Sequence, residues 1–132
     1  ADIKEGHGRA LERLGRPDEA MESYRQALTV RPDMFQVEDA LGHLLARSGR
    51  RAEAAQHFLR SAEVRPDRPQ PIRALAMLSE MQGDRSESLR LWRQVLELAG
   101  SGPAIREAAG HIRRLEREAT GPEPRPGEGR GT

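Results

Sequence analysis

Several sets of residues in this chain recur at one fixed interval. Gly15, Gly49 and Gly83 stand 34 residues apart, and so do Tyr24, Phe58 and Trp92. Ala20, Ala54 and Ser88 keep the interval, as do Leu28, Ala62 and Leu96, and Pro32 and Pro66 share it once. Gly8, Gly42, Ala76 and Gly110 carry it into a fourth unit. Coincidence can place one pair in register but not this many. A repeat of this length is one helical hairpin, which cannot bury its apolar face alone and does so by stacking on its neighbours.

Within each unit the apolar residues follow helical spacing rather than strand alternation. Ile3, His7, Ala10, Leu11 and Leu14 mark one helix of the first unit, and Met21, Tyr24, Ala27 and Leu28 the other. The second unit reads Val37, Leu41, Leu44 and Leu45, then Ala55, Phe58, Leu59 and Ala62; the third reads Ile72, Leu75, Leu78 and Met81, then Leu89, Trp92, Leu96 and Ala99. The periodic glycines fall at helix ends, where a left-handed backbone carries no Cβ clash. Pro32 and Pro66 cannot continue a helix, and Asp33 and Asp67 are placed to cap the next one. Gly100-Ser101-Gly102 breaks the third unit, and Pro103 opens a seventh helix that runs to Thr120. Its stripe is Ile105, Ala108, Ala109, Ile112, Leu115 and Ala119, opposite a charged face with Arg106, Glu107, Arg113, Arg114, Arg117 and Glu118. A helix with one polar face suits the exposed end of a stack. Residues 121–132 hold Gly, Pro, Thr and charge with no apolar side chain, the composition of a disordered tail.

Composition narrows the function classes. Only 36% of the 132 residues are hydrophobic and 3% aromatic, which suits a solenoid better than a globule with one central core. The 22 basic and 21 acidic residues are interleaved and nearly cancel, which argues against a polyanion as the main partner. No apolar run approaches the roughly 20 residues of a membrane span. Without cysteine there is no disulfide frame and no thiolate metal site, and the compartment stays open, with cytoplasm ahead of periplasm. His43 and His111 lie two repeats apart, roughly 20 Å at about 8–10 Å per helix contact, too far to share a zinc ion. His57 reads as a surface or inter-repeat residue and Trp92 as core. Scattered carboxylates without a nucleophile elbow, phosphate loop or CxxC give no catalytic, cofactor or metal site. There is no initiator Met and Ile3 already belongs to a helical pattern, so the chain reads as a piece or processed form of something longer.

In register, the units give Gly8, Gly15, Ala20, Tyr24, Ala27 and Pro32, then Gly42, Gly49, Ala54, Phe58, Ser61 and Pro66, then Ala76, Gly83, Ser88, Trp92, Val95 and Gly100. This series resembles tetratricopeptide repeats. The resemblance implies an all-α, right-handed superhelix (an α-solenoid) of three antiparallel hairpins plus one solvating helix. The domain would cover 1–120, with repeats at 1–34, 35–68 and 69–102 and the capping helix at 103–120. Two departures stand out: Lys4, Glu38 and Ile72 occupy the slot of the usual early aromatic, and His7 stands where Leu41 and Leu75 stand.

The resemblance further implies a protein–protein interaction scaffold that holds a peptide or partner helix in a concave groove lined by the first helix of each pair. Three rows then face the groove: Glu5, Asp39, Arg73 and Glu107; Arg9, His43, Met77 and His111; Arg13, Arg47, Met81 and Leu115. Arg9, Arg13, His43, Arg47 and Arg73 make it mildly basic, and Met77 and Met81 supply an apolar stretch. A ligand with carboxylates and one apolar anchor fits, Arg gripping the carboxylate and Met adapting to the anchor. The slots with which co-chaperones of this family clamp a C-terminal carboxylate hold Glu5, Arg9, Ala40, Gln70 and Ala74, of which only Arg9 suits the task. The Arg- and Ala-rich usage looks bacterial. Alternative readings are the recognition arm of a larger enzyme or envelope-assembly factor, and a self-assembling structural module.

Overall fold

Left-handed glycines cut the chain into hairpins. Gly15, Gly49 and Gly83 have φ of +72°, +82° and +80°, a region nearly closed to other residues. Each is followed by the same closing hydrogen bond, in which an amide reaches back to the carbonyl five residues earlier: Arg16 to Leu11, Arg50 to Leu45 and Asp84 to Ser79, at 2.9, 2.8 and 3.0 Å. These are Schellman closures, and they satisfy carbonyls that the helix end would leave orphaned. The structure is a computed structural model that describes residues 2–120. Its helices are α1 (Asp2–Arg13), α2 (Pro17–Val30), α3 (Phe35–Arg47), α4 (Arg51–Val64), α5 (Pro69–Gln82), α6 (Arg85–Ala99) and α7 (Pro103–Thr120). No strand occurs among the described residues. The tail expected at 121–132 lies outside them.

The expected caps at Asp33 and Asp67 are not formed. The N-cap positions belong to Met34 and Arg68, one residue later, and neither helix start has a side-chain cap. Both exchanges have a packing reason. Met34 buries its side chain in the core. Arg68 spreads over the Phe35 ring at 4.4 Å and donates to Asp39 at 2.8 Å. Asp67 instead accepts from Arg65 at 3.1 and 3.2 Å, which holds its carboxyl below the usual range. At the start of α6, by contrast, Asp84 does cap with its side chain, accepting from the Glu87 amide at 3.2 Å.

Each helix packs chiefly on its sequence neighbours, first within a hairpin and then onto the next one. The core is therefore a ladder along the stack. Its rungs are Tyr24, Phe58 and Trp92, all buried, each accompanied by a fully buried small residue, Ala20, Ala54 or Ser88. Tyr24 and Phe58 enter because the facing helix has a glycine where they lie, and Trp92 faces the small Ala76 at the same slot. A Cβ on Gly8 would sit 2.6 Å from Tyr24 Cε1, and one on Gly42 would sit 2.9 Å from Phe58 Cζ. Glycine inside a helix ordinarily costs about 0.5–1 kcal/mol against alanine, so the close approach has to return more than that. We expect Gly42→Ala to destabilise by about 1–3 kcal/mol through overpacking. Gly110→Ala, where a Cβ meets no atom within 4 Å, should stabilise slightly. Urea titrations of both variants check this, and a gain at Gly42 would mean that the buried ring can step aside.

Candidate functional site: a groove across the first helices

The aromatic rungs differ in their polar heads, and the neighbouring helix differs to match. Tyr24 Oη donates to Glu12 at 2.5 Å, and Trp92 Nε1 donates to Glu80 at 2.6 Å. Each acceptor stands twelve residues before its ring. Phe58 has nothing to donate, and the residue twelve before it is Ala46. Burial and the adjacent Glu12 push the Tyr24 hydroxyl pKa up, so the phenol stays protonated as the donor.

That alternation shapes a groove. Between the carboxylates of Glu12 and Glu80, Ala46 leaves an indentation of about 550 Å³ bounded by Glu12, Ala40, His43, Ala46, Arg47 and Met81. It crosses α1, α3 and α5. Of the residues singled out from sequence, it brings together His43, Arg47 and Met81. Ala40, read from sequence as a clamp slot without a donor, lines it too, and Glu12 and Ala46, which sequence reading passed over as groove-lining residues, complete it. The signal that would have found Glu12 is its twelve-residue relation to Tyr24, repeated by Glu80 and Trp92.

The remaining candidates lie around this groove with unequal freedom. Arg9 is held by Glu5 at 2.8 Å. Arg73 grips Glu107 of α7 with both ends of its guanidinium, one bond at 2.8 Å. That contact pulls the Glu107 carboxyl below its ordinary pKa. Arg13 is exposed and has no ion-pair partner among the described residues. Arg47 is 69% exposed and stands 3.7 Å from Glu12, a carboxylate already occupied by Tyr24. Met77 and Met81 are 39% and 62% exposed, a large apolar presentation for a surface row. His43 meets the edge of Phe58 at 4.9 Å. Burial lowers its pKa, Arg47 and Arg73 add to the effect, and Asp39 opposes it, so the imidazole is neutral at pH 7.

Two register assignments need correction. Leu115 does not line the groove: it is buried with Ala108 and Ile112, because the α7 stripe packs on α6. His111 lies flat on the Trp92 ring, 4.2 Å between centroids and 10° from parallel, and its Nδ1 is 2.8 Å from Glu80. Arg114 also binds Glu80. These bonds outweigh burial and hold the Glu80 carboxyl below its ordinary pKa. This end of the row is therefore a clasp that fixes α7 to α5 and α6.

A second indentation, about 530 Å³, lies between α2 and α4, with Glu38 and His57 among its walls. Glu38 is 4% exposed and bonds His57 Nδ1 at 2.6 Å. The carboxylate thus replaces the missing early aromatic with a buried polar pair. No group of three or more His, Cys, Asp or Glu able to hold a metal ion occurs among the described residues. No helix there is long and apolar enough to cross a membrane.

Two sequence models described as tetratricopeptide repeat match the chain, one over residues 1–34 and one over residues 39–72. Together they span more than half of it. The chain belongs to the tetratricopeptide repeat family. No curated protein matches it in sequence, whereas solved structures match in fold. The first repeat domain of Spaghetti (RPAP3), bound to the HSP90 peptide SRMEEVD, aligns with a TM-score of 0.77 at 14% identity, over 89% of this chain and 91% of that one. PcrH in complex with the chaperone-binding region of PopD gives 0.80 at 15% identity, over 89% and 92%. The repeat domain of Sgt2 from Aspergillus fumigatus gives 0.78 at 20% identity, over 94% and 84%. At such identities the likeness is one of fold. The tetratricopeptide array is thus an α-solenoid in which α1, α3 and α5 are the first helices of successive hairpins and α7 closes the stack.

Proposed function

We propose that this tetratricopeptide array is a non-catalytic adaptor whose groove over α1, α3 and α5 receives a peptide or helix of a partner protein. The observation that carries this reading is the pairing of Arg47 with Met81 around the small side chains Ala40 and Ala46. A carboxylate of the ligand meets Arg47, which has only a loose contact with Glu12. An apolar side chain settles against Met81, Ala40 and Ala46, where a polarisable thioether adapts to its shape. Met77 extends the apolar stretch. Arg9, Arg13 and Arg73 set the charge along the edges, with Arg9 and Arg73 softened by their own carboxylates. The likeness in fold to domains bound to a peptide or to a partner's binding region supports the class of function. The ligand chemistry differs from clamping of a free C-terminus. Glu5 has the wrong sign, Ala40 and Ala74 have no donor, and Arg9 is held by Glu5.

The groove can be tested by capture from a lysate of the source organism, followed by calorimetry of the captured partner against Arg47→Glu and Met81→Asp variants. Both side chains are exposed, so the free energy of unfolding should change by less than about 0.5 kcal/mol. Affinity should fall at least tenfold in each. Protonation gives a second readout. A ligand carboxylate beside His43 favours the imidazolium and raises its pKa, so binding takes up a proton. Affinity should therefore rise as pH drops through the bound-state pKa and be flat well above it. Equal binding by wild type and both variants would overturn the groove as the site.

A further inference from the structure

The junction between the first two hairpins differs in kind from the next one. Arg25, Glu38, His57 and Arg60 have Leu59, Ile72, Leu91 and Gln94 as their counterparts one repeat later. Ile72 and Leu91 are buried, at 5% and 4% exposure. The fold can therefore close this place with hydrocarbon and without burying charge, and such replacements are often neutral or stabilising. At the first junction the same two slots hold the Glu38–His57 pair, on the wall of the indentation of about 530 Å³ between α2 and α4.

The pair is only half used. His57 Nδ1 engages Glu38 Oε2, and Glu38 Oε1 accepts from no other described residue. Nor is Oε1 sealed off, since the side-chain atom that is both buried and unpartnered among the described residues is Asp39 Oδ1. A carboxylate on an almost wholly buried residue thus keeps one acceptor for whatever enters the indentation that it lines. The rest of the wall sorts by chemistry along the helices. Arg60 is one residue past the repeat counterpart of Arg25, so on the second helices of successive hairpins the two cations stand at about the same height. Arg60 has no ion-pair partner among the described residues, and Arg25 has Glu53 only at 3.9 Å. Leu28 and Val64 follow these arginines by three and four residues, which sets them one turn further along the same faces. Pro32 extends this apolar end, and Glu63, also without an ion-pair partner among the described residues, adds a second carboxylate.

We propose that this indentation binds a free aliphatic α-amino acid. The ligand carboxylate lies between Arg25 and Arg60, whose planar donors suit it. The α-ammonium donates to Glu38 Oε1, a carboxylate that His57 holds in place by its other oxygen. The aliphatic side chain runs toward Leu28, Pro32 and Val64. Walls of both signs select a zwitterion: a simple anion meets Glu38 and Glu63, and a simple cation meets two arginines. The site is separate from the groove, which crosses α1, α3 and α5.

The probe is L-leucine, titrated into the wild-type chain by calorimetry while the His57 ring signals are followed by NMR. Isocaproate lacks the ammonium, isopentylamine lacks the carboxylate and glycine lacks the apolar body. Leucine should bind at least tenfold more tightly than each of them and shift the His57 signals. Arg60→Glu should weaken leucine binding at least tenfold, and Arg47→Glu should leave it unchanged. Glu38→Gln keeps an acceptor for His57 and removes the charge, so leucine should lose at least tenfold and isocaproate nothing. Arg60 is exposed, and its variant carries the test if Glu38→Gln fails to fold. Equal binding of leucine and isocaproate overturns the proposal, and so does the absence of a saturable shift at His57. N-acetylleucine and leucine amide stand for the last and first residues of a chain. Tighter binding of either than of leucine assigns the indentation to a chain end and overturns the free amino acid as its ligand.

Discussion

Trp92→Ala is expected to remove about 3–5 kcal/mol, the range for emptying a buried large aromatic site. Trp92 is fully buried, but volume is only part of its contribution. Its indole donates to Glu80 and carries the His111 ring on its face, and Glu80 binds His111 and Arg114 of α7 in turn. Removing the indole therefore loosens the clasp on α7 as well as opening a cavity. In an array whose elements touch mainly their sequence neighbours, stability is a sum of local terms. The loss should fall on α5, α6 and α7 while α1 to α4 remain helical. Hydrogen exchange is the appropriate measurement: protection should collapse over residues 69–120 and persist in the first two hairpins. Trp92→Phe keeps an aromatic ring but loses the donor and part of the buried volume, so about 1–2 kcal/mol is expected from the orphaned contact and somewhat more in total. Uniform loss of protection along the chain in Trp92→Ala would refute the local picture.

The second large effect belongs to the Glu38–His57 pair. Glu38→Ala strands a half-buried imidazole and leaves a small cavity, so about 2–4 kcal/mol should be lost, somewhat below the cost of breaking a fully buried ion pair. His57→Ala should cost at least as much, since the carboxylate it leaves is the more deeply buried of the two. In the double variant neither group lacks a partner. Its loss should fall short of the sum of the single losses by about 1–2 kcal/mol. Urea denaturation of the four proteins gives this coupling. Strict additivity would mean that the two side chains do not stabilise each other, and the 2.6 Å contact would then be incidental.

The period was the most legible property of the sequence because it reports backbone events. A left-handed glycine and a Schellman closure depend on a few adjacent residues, so Gly15, Gly49 and Gly83 could be placed without knowledge of the stack. The rungs were legible for a related reason, since Tyr24, Phe58 and Trp92 each recur opposite a small residue. Side-chain pairing was less accessible. Arg73 reads as a groove cation until Glu107, one repeat later, is found against it. Glu38 reads as a defect in the motif until His57 arrives from the next helix. Asp33 and Asp67 look like caps on local grounds, and burial of Met34 and the Arg68–Phe35–Asp39 contacts override that preference. In each case the deciding partner lies on another helix, where single-sequence periodicity carries no side-chain geometry.

Arg73 binds Glu107 and Glu80 binds Arg114, each pair joining the same position in successive units. Both pairs lie at one junction, so opposite charges at equivalent positions make the third hairpin specific for the α7 that follows it. A chain lengthened by duplicating the third hairpin would set a copy of Arg73 against Arg73 and a copy of Glu80 against Glu80. The hairpins are therefore not interchangeable bricks. Charge limits what can follow the third hairpin, and a duplicated copy of it would need a change of sign at that seam before it could seat.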